Sequence, residues 1–148
     1  MNNRTIYPNG TTRWCNTQGK LHNINGPATH YPSGAKLWKV SGRRHRTNGP
    51  ATIAHDECRW NINGKLHNLN EHATEYNDGS KAWYINDRRH NINGPATLSA
   101  NGTKSWLING KPHRINGPAT QYINGNKSWL INGTNYSEAD YNKILKLP

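Results

Sequence analysis

Residues 106–120 read WLINGKPHRINGPAT, Trp106 to Thr120, and this stretch decides the fold because most of the chain is a variation on it. Tryptophan recurs at Trp14, Trp38, Trp60, Trp83, Trp106 and Trp129, with successive gaps of 24, 22, 23, 23 and 23. Histidine keeps the same step at His22, His45, His67, His90 and His113. An Ala-Thr pair follows in register at positions 28, 51, 73, 96 and 119. Three markers sharing a period of about 23 residues define a tandem array. Full units start at Trp14, Trp38, Trp60, Trp83 and Trp106, and a sixth opens at Trp129 before departing from the pattern.

Outward from that stretch, each unit alternates turn signals with short extended pieces. Lys104, Trp106 and Ile108 fall on one face of a strand, and Ser105 and Leu107 on the other. Asn109-Gly110 follows, a dipeptide suited to a hairpin turn in which both central residues need positive φ. Asn116-Gly117-Pro118 and Asn124-Gly125 supply the other two turns, and Pro118 belongs at a strand start or an edge because it has no N–H to donate. The irregularities are local. The first unit carries one extra residue, and the second has lost one in Ala54-His55-Asp56-Glu57-Cys58, where the expected glycine is missing. In the third, Asn70-Glu71-His72-Ala73 stands where the others have Asn-Gly-Pro-Ala.

Only 32% of the residues are apolar, and phenylalanine is absent. That is too little for a deep aliphatic core; thin units that cover one another fit better, since each repeat then contacts only its neighbours. Lys and Arg outnumber Asp and Glu by 19 to 8, leaving a formal charge of +11 that points to an anionic partner. No apolar run is long enough to span a bilayer, and residues 1–20 lack the apolar segment of a secretory signal. Cys15 and Cys58 sit at different places in their units, so two reduced thiols and a cytoplasmic location are expected. Ser137 with Glu138 and Asp140 reads as a helix start, and Tyr141, Ile144 and Leu145 form one apolar stripe. The expectation is an array over residues 1–136 and a cap over 137–148, with a short helix at Glu138–Lys146.

Two all-β architectures satisfy these signals. One is an elongated antiparallel meander of β-hairpins, advancing about 9.6 Å per unit; the other is a three-sided β-solenoid, advancing about 4.8 Å per coil. The order Trp-x-x-Asn-Gly-Lys-x-His-Arg-x-Asn-Gly resembles the MORN repeat over residues 7–133. It differs by one extra residue between Trp and Gly, by Arg or Asn after His, and by Gly-Pro in place of a lone Gly. The variant WxxNGxxHRxNGPA also resembles repeats in uncharacterised proteins of tailed phages and large DNA viruses. The resemblance implies the hairpin meander, which is the expected fold, and it assigns Trp106, Gly110, Lys111 and His113 to packing and loop geometry.

Chemistry is sparse. Zinc would need several ligands converging at about 2.0–2.1 Å, whereas equivalent histidines of a meander stand about 9.6 Å apart. Each histidine is therefore expected to close its own loop and pack on a tryptophan. No acid recurs at a fixed place in the repeat, neither cysteine neighbours a histidine, and no phosphate-cradling glycine loop is present. The expectation is a protein with no catalytic residues, cofactor or metal. The basic residues do form columns. Lys20, Arg43, Lys65, Arg88 and Lys111 each follow the first turn of their unit, and Lys36, Lys81, Lys104 and Lys127 each precede a tryptophan by two. With Arg44, Arg46, Arg89 and Arg114, the first column is the candidate macromolecule-binding surface. A non-enzymatic scaffold that binds a host protein or another acidic macromolecule is the first reading, and the viral resemblance adds the role of inhibitor or modulator of a host factor. Nucleic acid held by Lys/Arg columns with Trp and Tyr stacking is the second. Anionic lipid headgroups are the third.

Overall fold

The computed structural model describes residues 3–146. A 13-stranded sheet runs the length of the chain with its strands in sequence order, and every pairing is antiparallel. A solenoid would pair each strand in parallel with its copy in the next coil, so the meander is the fold. Thirteen strands at about 4.8 Å spacing make a sheet roughly 58 Å across.

Each interior unit gives two short strands to this sheet and then a small hairpin of its own. In the fifth unit Lys104–Ser105 lies in the long sheet, Trp106 leaves it, and Leu107–Ile108 pairs with Lys111–Pro112. The chain then returns to the long sheet at Thr120–Gln121. The turn chemistry explains the small hairpins. Asn63, Asn109 and Asn132 have φ of 51°, 51° and 52°, each followed by a glycine at positive φ, as a two-residue hairpin of this hand requires. Asn86-Asp87 does the same without glycine, and the Asp87 carboxylate accepts a 2.7 Å bond from the Leu66 N–H of the preceding unit. Neighbouring small hairpins are bonded to one another, as in Gly64 N–H to the Arg44 carbonyl at 2.7 Å and Gly110 N–H to the Arg89 carbonyl at 2.8 Å.

The irregular spacings have local causes. The extra residue of the first unit lies in a longer turn closed by Asn16 N–H to the Lys20 carbonyl. The deletion in the second shortens the far turn, so that Ala54 N–H reaches Glu57 where Tyr31 N–H reaches Ala35.

The core is a line of small residues. Ala28, Ala51, Ala73, Ala96 and Ala119 are fully buried. Each alanine carbonyl accepts from the tryptophan N–H of its own unit, as Ala51 does from Trp38 at 2.8 Å, and the Ala51 N–H donates onward to the Arg59 carbonyl, next to Trp60. Tryptophan and alanine therefore alternate across the sheet, each buried alanine standing between two tryptophans about 9.6 Å apart. On the opposite face Thr29, Thr52, Thr74, Asn61 and Leu107 are buried, so both faces are covered along this line.

The C-terminal helix spans Glu138–Ile144, two residues shorter than the sequence suggests, with Ser137 as its N-cap accepting from the Asp140 N–H. Its apolar stripe is narrower than expected. Tyr141 is buried, but Ile144 and Leu145 remain 36% and 44% exposed, so one side chain does the capping.

Candidate functional site

Three rows of side chains run along one face of the array. The first is the basic column. Val40 lies opposite Arg43, Ile62 opposite Lys65, Ile85 opposite Arg88 and Ile108 opposite Lys111 in their hairpins, so cation and aliphatic share a face. Lys20, Arg43, Lys65, Arg88 and Lys111 are all exposed. Four of the five abut the next unit, while the turn after Lys65 carries Asp87 in place of glycine. Lys20, Arg43, Arg88 and Lys111 lie against the turn glycines of the following hairpins (Gly42, Gly64, Gly110 and Gly133). Arg44 and Arg89 are exposed too, but pair with Lys39 and Tyr84 on the opposite face of their hairpins. Arg89 also donates from Nε to the Tyr84 hydroxyl at 3.2 Å. Of the second column, Lys81 is tied to Glu75 at 3.0 Å, while Lys104 and Lys127 are exposed.

Arg46 and Arg114 belong to the structure and not to the basic row. Their guanidinium carbons lie 4.0 Å and 3.8 Å from the ring centroids of Trp38 and Trp106. Each also donates to the proline carbonyl four residues on, Arg46 to Pro50 at 3.2 Å and Arg114 to Pro118 at 3.3 Å. Asn23, Asn68 and Asn91 make the same i to i+4 bond from Nδ2. Position 46 or 114 is therefore a loop closure that an asparagine also performs, and its charge is directed at an indole face.

The histidines join one unit to the next instead of closing their own loops. Nδ1 of His22, His45, His90 and His113 accepts the turn N–H of Ser41, Asn63, Asn109 and Asn132, at 3.1 to 3.2 Å. Nδ1 of His67 faces Asn86 Oδ1 at 3.2 Å. The difference arises because neighbouring small hairpins are bonded side by side, which brings each turn to the preceding histidine. Among the described residues no three His, Cys, Asp or Glu side chains form a metal-binding group.

The second row is a series of open notches, which the sequence did not single out. Each is floored by a tryptophan and the aliphatic residue two beyond it, and walled by the loops of two successive units. The notch between Asn23–Gly26 and Arg46–Asn48 sits over Trp38 and Val40, with a volume of about 400 Å³. Its counterpart over Trp106 and Ile108 has about 390 Å³. Smaller ones lie over Trp83 and Trp60. Between these two tryptophans the His72 ring stands nearly perpendicular to both indoles, with centroids 5.3 Å from Trp60 and 5.7 Å from Trp83.

The third row crowns the notch walls. Ile24, Leu69, Ile92 and Ile115 are 72, 74, 75 and 53% exposed, one per loop, with Thr47 at the same place in the second unit. The signal was available in the sequence as an aliphatic residue between two asparagines, or between Arg and Asn, recurring at the repeat period in a loop where no strand face demands it.

Local bonds and burial move some side chains off their ordinary titration values. Lys81 and then His72 hydrogen-bond the Glu75 carboxylate and hold it below the usual glutamate range. Burial, then Arg44 and Arg13, lowers the Lys39 ammonium. Burial, followed by the carboxylates of Glu75 and Glu57, pushes the Cys58 thiol up. Cys15 and Cys58 are both free thiols. Among the described residues no helix is long and apolar enough to cross a membrane. In comparison with known proteins, no family model and no curated protein matches this chain.

Proposed function

We propose that this protein is a non-enzymatic repeat scaffold that binds one macromolecular partner along the notched face. The row of exposed aliphatic side chains above tryptophan-floored notches carries this reading. Ile24, Leu69, Ile92 and Ile115 are left in water on the loops of four units. Isolated surface aliphatics are ordinary, whereas a periodic row beside concave apolar floors is the form of an interaction surface. Hot-spot contacts of this kind depend on buried aromatic and aliphatic anchors, with charges at the rim steering the encounter. A MORN-like kinship and a viral modulator of a host factor are what the sequence resemblance adds, and they rest on that resemblance alone.

Nucleic acid is the second reading, favoured by the exposed row Lys20, Arg43, Lys65, Arg88 and Lys111. It is weakened by Arg46 and Arg114, which already occupy the indole faces that a base would stack on. The test is a pull-down from the host with and without nuclease, comparing the native chain with the Leu69→Asp, Ile92→Asp double variant. Both residues are exposed loop tips, so the variant should fold normally. Capture that survives nuclease and is lost in the variant supports the scaffold. Capture lost to nuclease, or unaffected by the variant, overturns it. Binding to single strands would also weaken with salt by about 0.7 log units per log unit for each phosphate contacted.

A further inference from the structure

One notch of the series is already occupied. At the end of the array, the ring of Tyr141 lies 4.8 Å from that of Trp129, tilted by 52°. Its hydroxyl stands 2.7 Å from the Arg114 carbonyl oxygen and 3.0 Å from that of Gly117, and it accepts from the Gly117 N–H at 3.2 Å. The side chain is 1% exposed. It therefore bridges from Trp129 to the loop of the preceding unit, which is the span between floor and wall in every notch of the array.

Position 141 falls one repeat length after Pro118, and is the repeat equivalent of Pro27, Pro50, His72, Pro95 and Pro118. In the units of Trp38 and Trp106 this place holds Pro50 and Pro118, too short to cross and without a hydroxyl. The notches over Trp38 and Trp106 share the terminal site's floor and outer wall, Asn23–Gly26 and Asn91–Gly94 standing where the terminal site has Arg114–Gly117. They lack its tyrosine, and they hold Arg46 and Arg114 where the last unit has Ser137. Beside their floors stand Arg43 and Lys111, exposed members of the basic row. The tyrosine in the terminal notch is itself preceded by Glu138 and Asp140.

We propose that the open notches over Trp38 and Trp106 each accept a tyrosine side chain from an acidic segment of a partner protein, in the manner that Tyr141 fills the notch over Trp129. The ring would lean on the indole at a tilt and the hydroxyl would bond to the loop backbone. A tilted ring needs only part of the indole, so Arg46 or Arg114 keeps its place, whereas a stacked base would have to displace it. Acidic neighbours would face the basic row. This rests on the reading of the notched face as the binding surface and names the chemistry that the face selects.

A peptide with the sequence of residues 137–142, SEADYN, which keeps Glu138, Asp140 and Tyr141 without Lys143 and Lys146, is a suitable probe. Added to the full chain, it should move the indole N–H resonances of Trp38 and Trp106 and leave that of Trp129, whose notch is filled. A peptide carrying Tyr141→Phe should bind roughly 3- to 10-fold more weakly, having lost the hydroxyl's hydrogen bonds. One carrying Tyr141→Ala should move neither resonance. Equal binding by the alanine peptide, or no movement at millimolar peptide, would overturn the proposal. So would a single-stranded oligouridine moving the same two resonances while the peptide does not. A negative result with the peptide, together with host-partner capture that the Leu69→Asp, Ile92→Asp variant abolishes, would remove the tyrosine and leave the scaffold standing.

Discussion

The backbone N–H of Asn109 donates to Nδ1 of His90 across 3.2 Å, so the histidine of one unit holds the turn of the unit after it. The same bond joins His22 to Ser41, His45 to Asn63 and His113 to Asn132. A ring nitrogen that accepts carries no proton, which fixes the Nε2–H tautomer whenever the ring is neutral. Oδ1 of Asn109 also lies 3.0 Å from this Nδ1, and two acceptors do not bond. The two contacts coexist only with the Asn109 amide turned so that its NH₂ faces the ring. Long-range ¹⁵N–¹H correlation spectra should show Nε2–H for these four histidines, and Nδ1–H would contradict the linkage. His90→Ala should cost about 1 kcal/mol, or roughly 2–4 °C in Tm for a chain of this size.

Arg114 and Arg46 separate loop closure from charge. Arg114→Ala removes a stacked guanidinium and the bond to Pro118, and should cost about 1–2 kcal/mol by thermal unfolding. Arg114→Asn keeps a loop bond of the kind Asn91 makes to Pro95, and should recover about half of that loss. Equal losses for the two variants would show that the loop bond is not what holds this position.

Tyr141 closes the end of the array. Tyr141→Phe leaves the loop atoms around Gly117 without their partner and should destabilise by about 1–3 kcal/mol. Tyr141→Ala also uncovers Trp129 and should cost about 3–5 kcal/mol. Urea unfolding measures both, and an alanine variant as stable as the phenylalanine variant would show that the ring contributes nothing.

Cys58 lies opposite Glu75 in the sheet, and burial with two nearby carboxylates disfavours its thiolate. The rate of iodoacetamide alkylation against pH should therefore have its midpoint above that of a free cysteine. Removing a negative charge with Glu75→Gln should bring the midpoint down. A midpoint at or below the free-cysteine value would contradict the local electrostatics.

Much of the fold was legible because its signals are short-range and repeated. Asn109-Gly110 specifies a two-residue turn by itself, and five copies of Trp, His and Ala-Thr on one period define the repeating unit, while the choice between meander and solenoid rests on the direction of strand pairing. What the sequence hid depends on contacts between units. Lys39 and Arg44 look like ordinary strand residues, and nothing local says that the chain leaves the long sheet at Trp38 to form a separate hairpin. In sequence Arg46 and Arg114 look like members of the basic surface because each follows a member of the basic column, Arg43 or Lys111, by three residues. Only the placement of Trp38 and Pro50 within reach shows that they are engaged internally. The notches were invisible for the same reason, since each is made from two loops that lie one repeat apart in the chain.

Every functional statement requires that equivalent side chains stand in a row because one hairpin unit is copied end to end. Small-angle scattering measures this most directly. A sheet of 13 strands predicts a longest dimension of at least roughly 58 Å and a radius of gyration clearly above the roughly 15 Å of a compact domain of this length. A rounded particle with a radius of gyration of about 15 Å would contradict it.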